Sequence, residues 1–414
     1  MSTNIQKNQI TEGIIWRQLL LFFFPILLGT FFQQLYNTID SVIVGQFVGK
    51  EALAAVGGSS AQIVAFVVGF FTGLSSGASV TIAQFFGAKD SRSANKGLHT
   101  AYAIAAFGGL ILTVSGIILT PFLLEMMNTP ADIVADSAVY LRIYFAGIIF
   151  VLIYNMGSAI LRATGDSKRP LYYLIVCCII NIVLDVLFVI VFHMGVMGVA
   201  VATLIAQAVS AVLVTLKLMR SEGILKLSVK QIRFHGSILK MQLKLGLPTG
   251  FEAILFSITN IAIQSAVNTF GTDTTAAWSA YGKLDAIFWM VSTAFGIAIT
   301  TFVGQNYGAG KMDRVRKSTR VCLLMDFIVS AVLVVFLIAA RFLLFRLFTN
   351  DSHVIEIGCD MLVLITPWYI VYVFIEVIAG ALRGVGNVVV PVAITLLGVC
   401  VLRIAWLAAM LKIS

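Results

Sequence analysis

Long apolar runs separated by short polar connections dominate this chain. Runs of roughly 20 residues or more, enough to cross a hydrocarbon core of about 30 Å, fall at 19–46, 62–86, 98–124, 133–160, 170–193, 196–219, 242–270, 276–304, 318–345, 354–381 and 388–411. The pattern predicts eleven membrane-spanning helices and an all-α integral membrane protein.

The pattern is also duplicated. Leu161-Arg162-Ala163-Thr164-Gly165, followed by Pro170, recurs as Leu382-Arg383-Gly384-Val385-Gly386 followed by Pro391, an offset of 221. The same offset maps Gln84, Gly87 and Ala88 onto Gln305, Gly308 and Ala309, and an offset of 223 maps Pro25 onto Pro248 and Phe47 onto Phe270. Repeated apolar halves are a sequence mark of transporters built from two membrane-embedded lobes. The expected organisation is an N-terminal lobe at 1–220 with helices 1–6, a cytoplasmic linker at 221–241, and a C-terminal lobe at 242–414 with helices 7–11. Six crossings separate the copies, so the lobes share one orientation. The second copy has one helix fewer than the first.

Composition strengthens this reading. With 59% hydrophobic and 11% charged residues and a mean hydropathy of +0.99, the chain has too little polar surface for a soluble protein of 414 residues. A net charge of +9 invites a nucleic-acid reading, but the basic residues sit in alternate loops. Lys89, Arg92 and Lys96 follow helix 2; Arg162, Lys168 and Arg169 follow helix 4; Lys311, Arg314, Arg316, Lys317 and Arg320 follow helix 8. The 220–241 connection adds Arg220, Lys226, Lys230, Arg233 and Lys240, whereas the loops after helices 3, 5 and 7 contain no Lys or Arg. By the positive-inside rule the N-terminus and the even-numbered connections are cytoplasmic. Arg341 and Arg346, near the outer end of helix 9, depart from it and are expected to snorkel. The first seventeen residues show no cleavable signal pattern.

Several chemistries drop out. Cys177, Cys178, Cys322, Cys359 and Cys400 lie in apolar segments without metal spacing, and His99, His193, His235 and His353 are scattered. No phosphate-binding glycine loop with a following Lys occurs, so energy for transport must come from an ion gradient, the membrane potential or a separate subunit. An intramembrane enzyme would need a convergent nucleophile, base or metal set, and no such set is present; the chain is read as a non-enzyme without a cofactor.

Intramembrane acids are then the informative residues, because a carboxylate in hydrocarbon is costly and usually faces a cavity. On helix 1, Gln33, Tyr36 or Asn37, and Asp40 recur at helical spacing as one polar stripe. Asn181 and Asp185 are four apart on helix 5, and Thr203 and Gln207 on helix 6. Asp40, Asp185 and Thr203 each lie about 8 residues from the outer ends of their helices, roughly 12 Å deep at 1.5 Å per residue. Three helices thus present polar groups at one depth, and two acids sharing such a pocket form a proton or cation site. The competing reading is that these groups only cross-link packed helices. In the second lobe Asp40 has no counterpart, its equivalent falling near Ile263. Glu252 and Asp285 are candidate cation or substrate groups there, with Lys283 directed elsewhere on its helix. Asp326 and Glu376 are weaker candidates, Asp326 being expected at an interlobe or cytoplasmic surface. Tyr36, Phe66, Phe70, Phe288, Trp289 and Met290 would supply an adaptable apolar wall.

These residues carry a resemblance. Pro25-Ile26-Leu27-Leu28-Gly29 through Gln33-Gln34-Leu35-Tyr36-Asn37-Thr38-Ile39-Asp40, and Val44-Gly45-Gln46-Phe47-Val48-Gly49, resemble the multidrug and toxic compound extrusion (MATE) family. So do Ala83-Gln84-Phe85-Phe86-Gly87-Ala88, Arg162-Ala163-Thr164-Gly165-Asp166 with Pro170, Asn181-Ile182-Val183-Leu184-Asp185, and Val303-Gly304-Gln305-Asn306-Tyr307-Gly308-Ala309. The likeness spans nearly the whole chain and implies a prokaryotic-type fold of two six-helix lobes, with the family's usual twelfth helix missing here. It implies a multi-pass antiporter of the cytoplasmic membrane that exports lipophilic organic cations in exchange for H+ or Na+. The implied coupling site is Asp40, Asn181, Asp185 and Thr203, with Na+, where it is the ion, held at Asp40 and Asp185. The implied substrate contacts are Gln34, Tyr36, Asn37 and Asn155, joined by Glu252 and Asp285. A monomer in the bilayer without a nucleic-acid partner is expected. The alternative reading is a flippase for a lipid-linked oligosaccharide or polysaccharide precursor, which a basic central cavity would favour; the central helices carry more acids than bases.

Overall fold

The structure, a computed structural model, describes residues 9–413. Among the described residues there is no β-strand, and eleven helices are long and apolar enough to span a membrane: α1 Ile15–Phe47, α2 Lys50–Gly87, α3 Ser91–Met126, α4 Val134–Ala163, α5 Lys168–Val191, α6 Gly195–Met219, α7 Gly236–Asn268, α8 Thr272–Gly308, α9 Met312–Arg346, α10 Ser352–Val385 and α11 Val389–Ala409. Each answers to one apolar run, and most are longer than the run because hydropathy marks only the part in hydrocarbon. α3, for example, begins at Ser91, where the Asp90 side chain accepts the Ser93 N–H at 3.0 Å and caps the first turn. Pro367 interrupts α10 with a tight turn at Thr366–Trp368, since proline has no N–H for the helical ladder.

The duplication is visible in backbone geometry. Gly165 and Gly386 close α4 and α10 with φ of 97° and 92°, and in both places the next N–H reaches back to the leucine of the motif: Asp166 to Leu161, and Asn387 to Leu382. Only glycine adopts this conformation without strain, which explains its recurrence.

Packing divides the described chain into two units, one from Leu28 to Ala253 and the other comprising the part of α1 before Leu28 with everything from Ile254 onward. The divisions fall inside α1 and α7, just beyond Pro25 and Pro248, so each of these helices contributes to both units. This grouping differs from a partition at the 221–241 linker. Its physical basis is side-chain packing: Leu19, Phe22, Phe23 and Ile26 bury against Phe295, Phe302 and Val373, and Phe23 stacks on Phe295 at 4.1 Å. In the other unit the first half of α7 meets α2 backbone to backbone. A Cβ on Gly77 would lie 2.4 Å from the Gln242 carbonyl oxygen, and one on Gly246 2.7 Å from the Leu74 oxygen, a crossing that small residues permit.

The 221–235 connection is tied to the start of α3. Asn95 Nδ2 donates to the carbonyls of Ile224 and Lys226, each at 3.1 Å. Buried His99 donates through Nδ1 to the Asn95 carbonyl at 2.8 Å and accepts the Ser228 N–H on Nε2 at 3.0 Å. A carbonyl only accepts and an amide only donates, so this pair of contacts assigns the neutral Nδ1–H tautomer.

Candidate functional site

Within the unit Leu28–Ala253, α1, α4, α5 and α6 converge on Asp40 and Asp185. Asp40 is 7% exposed and Asp185 is fully buried, and the carboxyl groups are within hydrogen-bonding reach of one another. Thr203 Oγ1 on α6 donates to Asp40 Oδ2 at 3.5 Å, and Asn181, one turn before Asp185, also lies at Asp40. The structure therefore brings together all four residues that helical spacing and depth nominate. One turn along both helices, Gln207 Nε2 donates to the Tyr36 hydroxyl at 3.2 Å, so α1 and α6 are joined by two successive polar rungs.

The site is short of donors. Asp40 Oδ1, both oxygens of Asp185, and the amide nitrogen and oxygen of Asn181 are buried with no protein hydrogen-bond partner. Two ionised carboxylates in contact at about 4 Å repel by roughly 4 kcal/mol at an effective dielectric of about 20. A proton shared between them, or a cation held by their oxygens with Thr203 and Asn181, removes that repulsion and satisfies the orphaned atoms. The donor set is all oxygen apart from the amide nitrogen, which suits a proton or a hard monovalent cation. Immediately after Asp185 the helix widens: over Val186–Val191 it makes π-type turns, and the Phe192 N–H reaches Leu187, five residues back.

Tyr140 and Tyr144 on α4 also come to this region and are absent from the residues that spacing and depth nominate. Tyr140 lies near both acids and Tyr144 near Tyr36, their rings 6.2 Å apart. Two tyrosines four apart on an apolar helix were the available signal. Of the remaining residues nominated for substrate, Tyr36 is buried in the site, Gln34 and Asn37 are exposed on α1, Asn155 is half-buried on α4, and Glu252 is half-buried on α7.

The unit that begins at Ile254 holds two further carboxyl groupings. Asp285 accepts from Trp289 Nε1 at 2.8 Å and from the Tyr369 hydroxyl, which also contacts the Tyr281 hydroxyl. Phe288 is wholly buried and stacks on Tyr369 at 4.1 Å, so this acid sits in an aromatic setting, while Lys283 is exposed on another face of α8. Asp326 was expected at a surface and is instead fully buried. One of its oxygens accepts from Ser330 at 3.1 Å, and Glu376 is its acidic neighbour. A short polar stretch in α9 looks like a surface in sequence; packing by α8 and α10 encloses it. Glu376 in turn pairs with Arg383 at 3.5 Å and accepts from the Tyr372 hydroxyl at 3.3 Å.

Comparison with known proteins agrees with this architecture. The family model MatE matches residues 25–187 and again 248–407. "Probable multidrug resistance protein YoeA" of Bacillus subtilis is 30% identical over 93% of this chain and 84% of that protein. "Probable multidrug resistance protein NorM" of Thermotoga maritima is 27% identical over 99% of this chain and 88% of its own length. Among solved structures, an outward-facing multidrug resistance MATE transporter superposes with a TM-score of 0.88 at 22% identity, covering 95% of this chain and 88% of the other.

Proposed function

Because this chain belongs to the MatE family, we propose that it is a secondary multidrug exporter of the cytoplasmic membrane, driven by H+ or Na+ through Asp40 and Asp185. The observation that carries the reading is the contact of two buried carboxyl groups with orphaned oxygens, because such a pair exists stably only with a proton or cation present. Binding of the coupling ion neutralises the pair, and its loss restores repulsion between α1 and α5. That is a two-state element of the kind alternating access requires. Asn181 and Thr203 supply neutral ligands. Lipophilic organic cations are the substrate class, attracted by Glu252 and by Asp285 among its aromatic neighbours. The N-terminus and the 221–241 linker lie on the cytoplasmic side, the protein acts as a monomer, and the two lobes move against one another during transport.

Reconstituted vesicles test the reading. An imposed proton or sodium gradient should drive uptake or release of a fluorescent organic cation, and whichever gradient works alone identifies the ion. Asp40→Asn, which keeps size and hydrogen bonding but removes the ionisable group, should abolish gradient-driven movement in folded protein. Asp185→Asn should match it, and the double variant should be no worse than either single one, since the two groups act as one site. Full gradient-driven transport by Asp40→Asn protein would reduce the pair to a structural contact.

A further inference from the structure

The duplication provides an internal control for one basic residue. Arg383 and Arg162 occupy equivalent positions, 221 apart, at the ends of α10 and α4. Arg383 has a carboxylate seven residues earlier, Glu376, with which it pairs at 3.5 Å. The equivalent of Glu376 in the first repeat is Asn155. Arg162 consequently lacks the counter-charge its partner position has. It is half-buried, and among the described residues its guanidinium makes no ion pair or hydrogen bond. Its polar neighbour is Tyr154, whose hydroxyl already donates to the Pro170 carbonyl at 3.0 Å. Asp166, the acid of the adjoining connection, is engaged by Arg169, whose Nη1 lies 2.6 Å from Oδ2 and whose backbone N–H donates to Oδ1 at 3.2 Å.

A guanidinium keeps its charge and presents five N–H donors in a planar fork suited to phosphate and carboxylate oxygens. No nitrogen of Arg162 is among the fully buried unpartnered atoms of the described residues, so the fork stays open to an incoming oxyanion. We propose that Arg162 anchors a phosphate-binding site at the end of α4 that the charge pattern assigns to the cytoplasmic side. In this site an anionic phosphate group takes the place that Glu376 fills in the second repeat. The phosphate comes either from the headgroup of an anionic lipid or from a soluble phosphate. The guanidinium fork grips two of its oxygens, while Asn155, two helical turns away on the same face, leaves the arginine without the counter-charge that a glutamate would supply.

The test uses the full chain purified in detergent, with phosphatidylglycerol, phosphatidylcholine and inorganic phosphate as probes and binding read by native mass spectrometry. Wild-type protein should retain phosphatidylglycerol at least about tenfold more tightly than phosphatidylcholine, a difference of ~1.4 kcal/mol. Both Arg162→Gln and Asn155→Glu should erase that preference. The second variant keeps the arginine and installs the partner found in the other repeat, so it remains informative where Arg162→Gln fails to fold. Lys230→Gln, removing an exposed linker charge, controls for general electrostatics and should leave the preference intact. Displacement of the lipid by millimolar inorganic phosphate identifies a site for soluble phosphate, and resistance to it identifies the lipid headgroup. Equal retention of both lipids by wild type with no phosphate binding overturns the proposal, as does a loss in Lys230→Gln equal to that in Arg162→Gln.

Discussion

The hydroxyl of Thr300 donates to the carbonyl of Gly380 at 3.0 Å, tying α8 to α10. At an offset of 221 on both sides, the hydroxyl of Ser79 donates to the carbonyl of Ala159 at 3.3 Å, tying α2 to α4. Both repeats therefore retain one interhelical bond as well as their helix ends. Single interhelical hydrogen bonds in membranes contribute about 0.6 kcal/mol on average and at most about 1.7. Thr300→Val and Ser79→Ala should each cost no more than that in an unfolding titration in mixed micelles. They should add when combined, because the two bonds share no residue. A loss above about 3 kcal/mol from either would mean that the hydroxyl does more than bridge two helices.

Close helix crossing makes a stronger demand. Gly77 has the Gln242 oxygen and Gly246 nitrogen within 2.5 Å of where a Cβ would stand, whereas Gly282 has nothing within 4 Å. Gly77→Val should separate α2 from α7 and abolish recovery of monodisperse protein. Gly282→Ala should be tolerated and gain up to about 1 kcal/mol from helix propensity. Comparable yields of both variants on size-exclusion chromatography would refute the backbone contact.

The ion pairs divide by exposure. The side chains of Glu376 and Arg383 are 14% and 17% exposed, whereas those of Glu51 and Lys50 are 55% and 91% exposed. Glu376→Ala removes the carboxylate from a largely buried ion pair and should destabilise the protein by up to about 3–5 kcal/mol. Glu51→Ala should change stability by less than about 1 kcal/mol, as for solvated pairs generally. Thermal melting of both variants beside wild type checks the ordering.

The linker should respond to acid. His235 Nδ1 lies 3.1 Å from Thr100 Oγ1, and its Nε2 accepts from Arg233 Nε at 3.4 Å. Burial above all, then the positive charge of Arg233 and Lys96, holds His235 below its usual value of 6.5. A histidine depressed in the folded state binds fewer protons there than when released. Its contribution to holding the linker is therefore fully present above about pH 6.5 and is lost as pH falls through the folded value. Amide exchange across 224–235, corrected for intrinsic rate, should show less protection at pH about 5.5 than at about 7.5. His235→Gln should flatten that dependence, and an unchanged pH response in this variant would assign the effect elsewhere.

Much of the architecture is legible in the amino-acid sequence. The eleven helices followed from apolar run length, because a bilayer imposes one thickness on every crossing. The repeat followed from the Leu-Arg-x-x-Gly motif, and its glycine recurs because Gly165 and Gly386 both need positive φ. Asp40, Asp185 and Thr203 group by counting residues from the helix ends, since a fixed rise per residue converts sequence position into depth, and Asn181 joins them by its four-residue spacing from Asp185. Rotation about a helix axis and the choice of neighbour are different quantities, set by packing across residues far apart in the chain. Only the tertiary structure left Gln34 and Asn37 exposed while burying Tyr36 and Asp40, brought Tyr140 to the acids and Tyr144 to Tyr36, and buried Asp326. It alone distinguished Arg383, paired with Glu376, from Arg162 without a partner, and it divided α1 and α7 between two packed units. Depth is a property of one helix and can be read from its sequence, whereas contact depends on several helices at once.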